Sequence, residues 1–146
     1  MKRIERSALV AFSDQRMFDL VNDVASYPSF MNGCVGAHIL DETEQEVLAR
    51  LELSRMGFKH SFTTRNQLQA PSSMKMQLVE GPFTRLSGEW QFKALSPDAC
   101  KITFSLEFEF DNALVHGAAG KVLEQIANEL VDGVCLRAKH VYQSKI

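Results

Sequence analysis

Cys100-Lys101-Ile102-Thr103-Phe104-Ser105-Leu106-Glu107-Phe108-Glu109-Phe110 is the stretch whose reading decides the fold. From Cys100 onward every second residue is apolar, and the residues between are charged or hydroxylated. A strand points successive side chains to opposite faces. This run therefore reads as a strand with one greasy and one wet face. Such strands belong to an antiparallel sheet covered on one side only.

The same period of two extends backwards to about Val35. Leu86, Gly88, Trp90, Phe92 and Ala94 oppose Ser87, Glu89, Gln91 and Lys93. Met74, Met76 and Leu78 oppose Lys75 and Gln77. Phe58, His60, Phe62, Thr64, Asn66 and Leu68 share a face, with Asn66 its polar exception, and Val47, Ala49, Leu51 and Leu53 share another. The breaks are turn-like: Met56-Gly57, Ala70-Pro71-Ser72-Ser73, Gly81-Pro82 and Ser96-Pro97-Asp98.

The ends of the chain differ. Arg3 to Ala11 reads as a strand. Ser13 is placed to cap a helix through Met17, Phe18, Leu20, Val21 and Val24. Tyr27-Pro28 should break that helix, because the residue before proline leaves the α region, and a second helical turn follows through Phe30 and Met31. At the other end Leu114, Ala118, Val122, Ile126, Leu130, Val134 and Ala138 recur every four residues, with Val115, Ala119, Leu123, Ala127, Val131 and Cys135 beside them. Four residues overshoot one helical turn by about 40°, so the apolar band winds around a long helix. Asn112 is placed to cap it.

The expected fold is therefore α+β: a curved antiparallel sheet of six to seven strands wrapped around a long C-terminal helix, with two short helices after the first strand. Its 146 residues suit one domain, 1–146. A hydrophobic fraction of 45% and a net charge of −2 describe a globular chain without a global basic field for nucleic acid, and DNA is not expected as a partner. Three cysteines, widely spaced and without a CxxC, argue against a disulfide framework or a zinc site. The N-terminus lacks the apolar core of a signal peptide, and no run approaches the roughly 18 apolar residues of a spanning helix. Cytoplasmic placement, with at most peripheral contact at the inner membrane, follows as the expectation.

Catalytic signatures are missing. No Walker loop, GxGxxG or GxSxG appears, and the four histidines stand in no ligand pattern. No catalytic residue, metal or required cofactor is expected. What is abundant is adaptable apolar surface, with 10 Phe and 6 Met. The same alternation describes a filled core or a cavity wall. On the cavity reading, Phe58, Phe62, Met74, Met76, Leu78, Phe83, Trp90, Phe92, Phe104, Leu106 and Phe108 line the concave side. Val122, Ile126 and Leu130 roof it. His60, between Phe58 and Phe62, is the titratable group able to meet a ligand carbonyl. Phe30, Met31, Met56, Phe58 and Phe83 fall at element ends, where exposure would bring them to a pocket mouth and a membrane.

Three motifs carry a family resemblance. They are Val24-Ala25-Ser26-Tyr27-Pro28-Ser29-Phe30-Met31 with Cys34, Gly81-Pro82-Phe83 through Phe92, and Phe104 through Phe110 leading into Asn112-Ala113-Leu114. With Ser7-Ala8-Leu9-Val10 they resemble the coenzyme Q-binding protein and RatA family of the START-like polyketide cyclase/dehydrase (SRPBCC) superfamily. The resemblance spans nearly the whole chain. Where that family commonly reads Leu-Pro-Trp-Cys, this chain has Met31-Asn32-Gly33-Cys34. The resemblance implies a helix-grip fold with a hydrophobic tunnel and a START-like coenzyme Q-binding domain. It implies a polyisoprenoid quinone (ubiquinone) or related polyprenyl lipid as bound ligand, in support of respiratory electron transport and without enzymatic turnover.

Two alternatives stand beside it. One is a ribosome association inhibitor, a toxin-like protein binding the large ribosomal subunit, with Lys2, Arg3 and Arg6 meeting Arg137, Lys139 and Lys145 in a basic patch. The other is a cyclase or hydratase using His60 and Glu80.

Overall fold

The computed structural model describes residues 2–110 and 118–143. Seven strands form one antiparallel sheet: β1 (Lys2–Val10), β2 (Cys34–Glu42), β3 (Glu46–Arg55), β4 (Phe58–Gln69), β5 (Ser73–Glu80), β6 (Phe83–Ser96) and β7 (Ala99–Phe110). Their spatial order is β1-β7-β6-β5-β4-β3-β2, so each consecutive pair from β2 to β7 is a hairpin and the first strand closes against the last. The expected alternation in β7 holds: Cys100, Ile102, Phe104, Leu106 and Phe108 are all buried. At Met56-Gly57 both residues have positive φ, 50° and 84°. This is the two-residue turn whose twist matches the flanking strands, and it favours glycine.

The sheet curls tightly. Three strand spacings separate β4 from β7, about 14 Å in a flat sheet. Yet the Phe58 and Phe110 rings lie 6.1 Å apart, and Phe62 meets Phe83 of β6 at 5.7 Å.

The curl grips helix α2 (Ala118–Gln143). Val122, Ile126, Leu130, Val134 and Ala138 are buried along it, as are Leu123, Ala127 and Val131, so the winding apolar band faces the sheet. Gly133 lets the backbone of Phe30 approach, since a β-carbon there would stand 3.1 Å from the Phe30 carbonyl oxygen. Polar ties hold the helix to both sides of the sheet. Lys2 pairs with Glu124 at 3.1 Å, and Arg6 donates to the Asn128 carbonyl at 2.8 Å and reaches Asp132 at 3.4 Å. From the far side Arg55 pairs with Glu129 at 2.9 Å. The expected cap Asn112 and the helix start at Leu114 lie outside the described residues.

Several expectations need correction. Helix α1 (Asp14–Asn22) is capped by Ser13, whose hydroxyl accepts from the Arg16 amide at 3.1 Å. It ends before Tyr27-Pro28, because Asp23 already leaves helical geometry. A 3-10 helix over Val24–Ser29 follows and contains Pro28. The bonds at its two ends come from the amides of Ser26, Phe30 and Met31, none of which is the N–H that Pro28 lacks. The presumed exposed apolar rim is mostly interior: Phe58, Phe83 and Met31 are buried, and Met56 is 76% exposed. Other exposed apolar residues stand at slips in strand pairing. Val35, Leu40, Val79 and Leu95 each occupy the extra position where the register shifts by one. A bulge breaks the alternation there and turns the side chain outward.

Nor do the basic N-terminal residues build a patch. Lys2 and Arg6 are spent on α2 carboxylates, and Arg3 lies by Glu5 and Glu107. Arg137 sits over the Phe30 ring instead, 5.8 Å from its centroid. Lys145 lies outside the described residues.

Candidate functional site

A cavity of about 70 Å³ lies between the concave sheet and α2. Seven of the residues expected from the sequence line it: Phe62, Met76, Trp90, Phe104, Leu106, Ile126 and Leu130. Trp90 forms its hardest wall. The indole is 1% exposed, tilted against Phe104 at 4.5 Å and stacked on Phe92 at 6.2 Å.

The other expected residues lie outside the lining, for a packing reason at each end. At one end α1 plugs the sheet: Phe18 meets Phe92 edge-on at 5.8 Å, and Met74, opposite Trp90 in the strand register, is fully buried. At the other end Phe83, stacked on Phe110 at 5.1 Å, also touches Phe108 at 6.3 Å, and Phe58 joins this aromatic plug. Leu78 packs partly buried, and Val122 is buried on α2. His60 is half-buried with its ring 4.9 Å from that of Phe58, and it does not reach the lining. Glu80 is exposed at the end of β5. The acid–base pair required by the cyclase reading is therefore not brought together in the cavity.

Residues that the sequence reading left out complete the lining: Val24, Tyr27 and Met31 from the 3-10 segment, Ala49, Leu51 and Leu53 from β3, Leu86 from β6, and Leu123 and Ala127 from α2. Two are polar residues of β4, Thr64 and Asn66, 6% and 3% exposed. The signal for them was visible, since both interrupt an apolar face. The Thr64 hydroxyl donates to Asn66 Oδ1 at 2.8 Å. The third polar group, the Tyr27 hydroxyl, donates to the Val21 carbonyl. Burial pushes the Tyr27 phenol well above its ordinary pKa, with Cys34 and Asp23 adding to the shift. It therefore stays protonated and tied down.

Cysteine chemistry is muted in the same way. Cys34, Cys100 and Cys135 are all free thiols. Burial raises the pKa of each, that of Cys100 to about 11, so the reactive thiolate is scarce near neutrality. Among the described residues no cluster of three His, Cys, Asp or Glu side chains is placed to hold a metal. No helix among them is long and apolar enough to cross a membrane.

The sequence and the fold both match known proteins. The family model "Polyketide cyclase / dehydrase and lipid transport" matches residues 10–135. The ribosome association toxin RatA of Escherichia coli K12 is 46% identical over 145 residues, covering 99% of this chain and 92% of that protein. A mitochondrial coenzyme Q-binding protein of Xenopus laevis is 26% identical, covering 97% of this chain and 60% of that one. Among solved structures, the ZhuI aromatase/cyclase of Streptomyces superposes with a TM-score of 0.85 at 17% identity, covering 99% of both chains. At that identity the likeness speaks for the START-like helix-grip fold alone.

Proposed function

The chain belongs to the polyketide cyclase/dehydrase and lipid-transport family, and within it to the group of the RatA toxins and coenzyme Q-binding proteins; from that premise we propose that it associates with the large ribosomal subunit and restrains subunit joining. The observation that carries this reading is the 46% identity across 99% of the chain. Identity at nearly half of all positions exceeds what the buried core accounts for, so it extends to solvent-facing positions as well. Cytoplasmic placement follows from such a partner.

With Lys2 and Arg6 spent on α2 carboxylates and Arg3 beside Glu5 and Glu107, the contact surface is better sought on the convex face of the sheet. There Lys93 of β6 and Lys101 of β7 stand directly opposite each other, both exposed and with no ion pair among the described residues. Like charges in register repel, and a phosphate backbone would relieve them. Co-sedimentation with large subunits tests this. Lys93→Glu with Lys101→Glu should weaken pelleting and reduce the salt slope of binding by about 1 per lost phosphate contact. Binding that ignores both the substitutions and salt would defeat the assignment.

A second reading rests on the cavity. An interior lined almost wholly by apolar side chains would hold an apolar ligand, and burial is worth roughly 25 cal/mol per Å². A quinone of the kind named for the Xenopus relative is one candidate, with support of respiratory electron transport as the role. At about 70 Å³ the space admits a ring or a short chain, against roughly 300–1,000 Å³ for pockets of drug-sized ligands. A polyprenyl tail would need the aromatic plug or α1 to move. Binding without turnover is the favoured mode, because the polar lining consists of Thr64, Asn66 and Tyr27. Organic extraction of the purified protein, with mass analysis, tests this reading. A stoichiometric quinone or lipid supports it, and a protein that neither carries nor takes up such a ligand sinks it.

A further inference from the structure

Nearly every wall of the cavity is hydrocarbon, yet one place on its floor is not. Thr64 and Asn66 sit two residues apart on β4, so both project to the concave face. Their cross-strand neighbours on that face are apolar: Ala49 and Leu78 beside Thr64, Val47 and Met76 beside Asn66. A buried amide in such surroundings must find partners. Thr64 supplies one by donating to Oδ1. An asparagine amide has two N–H donors in addition to its carbonyl. Among the described residues these N–H groups donate to no side chain and no backbone carbonyl. Ala49, the small residue opposite Thr64, leaves room above the pair.

We infer that Thr64 and Asn66 form a polar subsite that receives the carbonyl oxygen of an otherwise apolar ligand. The inference rests on the cavity reading given above and names the ligand class: ketones, quinones and esters in preference to hydrocarbons. The division of labour follows from the hydrogen-bond inventory. The Thr64 hydroxyl fixes the amide by holding its oxygen, which turns the nitrogen and its two hydrogens toward the remaining space. A ligand oxygen with two lone pairs matches that offer. A hydrocarbon would leave the donors unpaired in a dry site, which costs affinity. Water can occupy the subsite when no ligand is present, and a carbonyl replaces its hydrogen bonds whereas a methyl group does not.

The chain carries its own reporter, because Trp90 is its single tryptophan and lines the same cavity. Cyclohexanone and methylenecyclohexane share one six-membered ring, the size the cavity admits, and differ only in a carbonyl oxygen against a CH2 group. Cyclohexanone binding is read from Trp90 fluorescence, and methylenecyclohexane binding from its displacement of cyclohexanone. The wild-type chain should prefer cyclohexanone by about tenfold or more, the effect expected of one satisfied buried donor group. Asn66→Leu, close in volume, should erase that preference by weakening cyclohexanone while leaving methylenecyclohexane unchanged or tighter. Thr64→Val, which frees the amide to rotate, should give a smaller loss in the same direction and serves if Asn66→Leu fails to fold. A wild-type chain that binds both probes equally, or variants that keep the wild-type ratio, would overturn the subsite and leave the apolar cavity standing. Failure of the wild-type chain to bind either probe would overturn the cavity reading and the subsite with it.

Discussion

Replacing Trp90 with alanine should cost more stability than almost any other single change. The indole is 1% exposed and wedged between Phe104 at 4.5 Å and Phe92 at 6.2 Å. Truncating a buried aromatic of this size costs about 3–5 kcal/mol, part lost transfer energy and part the void left behind. The two aromatic contacts lie at the high end of that range, since such pairs add roughly 0.5–1.5 kcal/mol beyond area. With a urea dependence near 2 kcal/mol per molar, Trp90→Ala should lower the unfolding midpoint by about 2 M. The new space joins the existing cavity, so free indole should rebind and restore stability by about 2.7 kcal/mol at a hundred times its Kd. Urea titration followed by far-UV circular dichroism, with and without indole, measures both effects. A midpoint shift below about 0.5 M would refute the reasoning. The indole would then be a loose rim group, and the cavity would not have the rigid wall described here.

Other consequences follow from single contacts. Ser13→Ala removes the cap of α1 and should cost about 1 kcal/mol, or some 3–4 °C in Tm, by thermal unfolding. Glu129 has its pKa lowered, first by the Arg55 hydrogen bond and then by the Arg55 charge and Asn32. Its ion pair therefore contributes fully above the ordinary glutamate pKa, and the contribution is lost as pH falls through the lowered folded value. Glu129→Gln should narrow the gap between stability at pH 7 and at pH 3, and an unchanged gap would remove the pair from the account. Gly133→Ala should destabilise despite alanine's better helix propensity, because the new β-carbon would meet a backbone carbonyl at 3.1 Å. A rise in Tm would show that α2 can shift away from Phe30.

The faces of the sheet were legible because each strand buries one side only. Cys100 to Phe110 alternate as read, and Asn66 stood out in the sequence as the polar intruder that the structure puts on the cavity floor. Depth along a face was not legible. Phe62 and Phe58 share one face of β4, yet Phe62 borders the cavity while Phe58 joins the plug. That difference arises from the curl of the sheet, which brings β4 against β7, and no local pattern records it. Bulges were hidden for a similar reason. One extra residue at Val79 or Leu95 turns an apolar side chain outward, and only the pairing with the next strand reveals the slip. Charge was misread where long-range partners decide it. Lys2 and Arg6 look like a basic arm until Glu124 and Asp132, more than a hundred residues away, are seen to neutralise them.

The most direct test of the central claim is a sucrose-gradient profile of purified small and large ribosomal subunits, mixed under joining conditions with and without the protein. The account predicts that the protein migrates with the large-subunit fraction and that the peak of joined ribosomes shrinks as its concentration rises. An unchanged peak, with the protein left at the top of the gradient even at low salt, would contradict it.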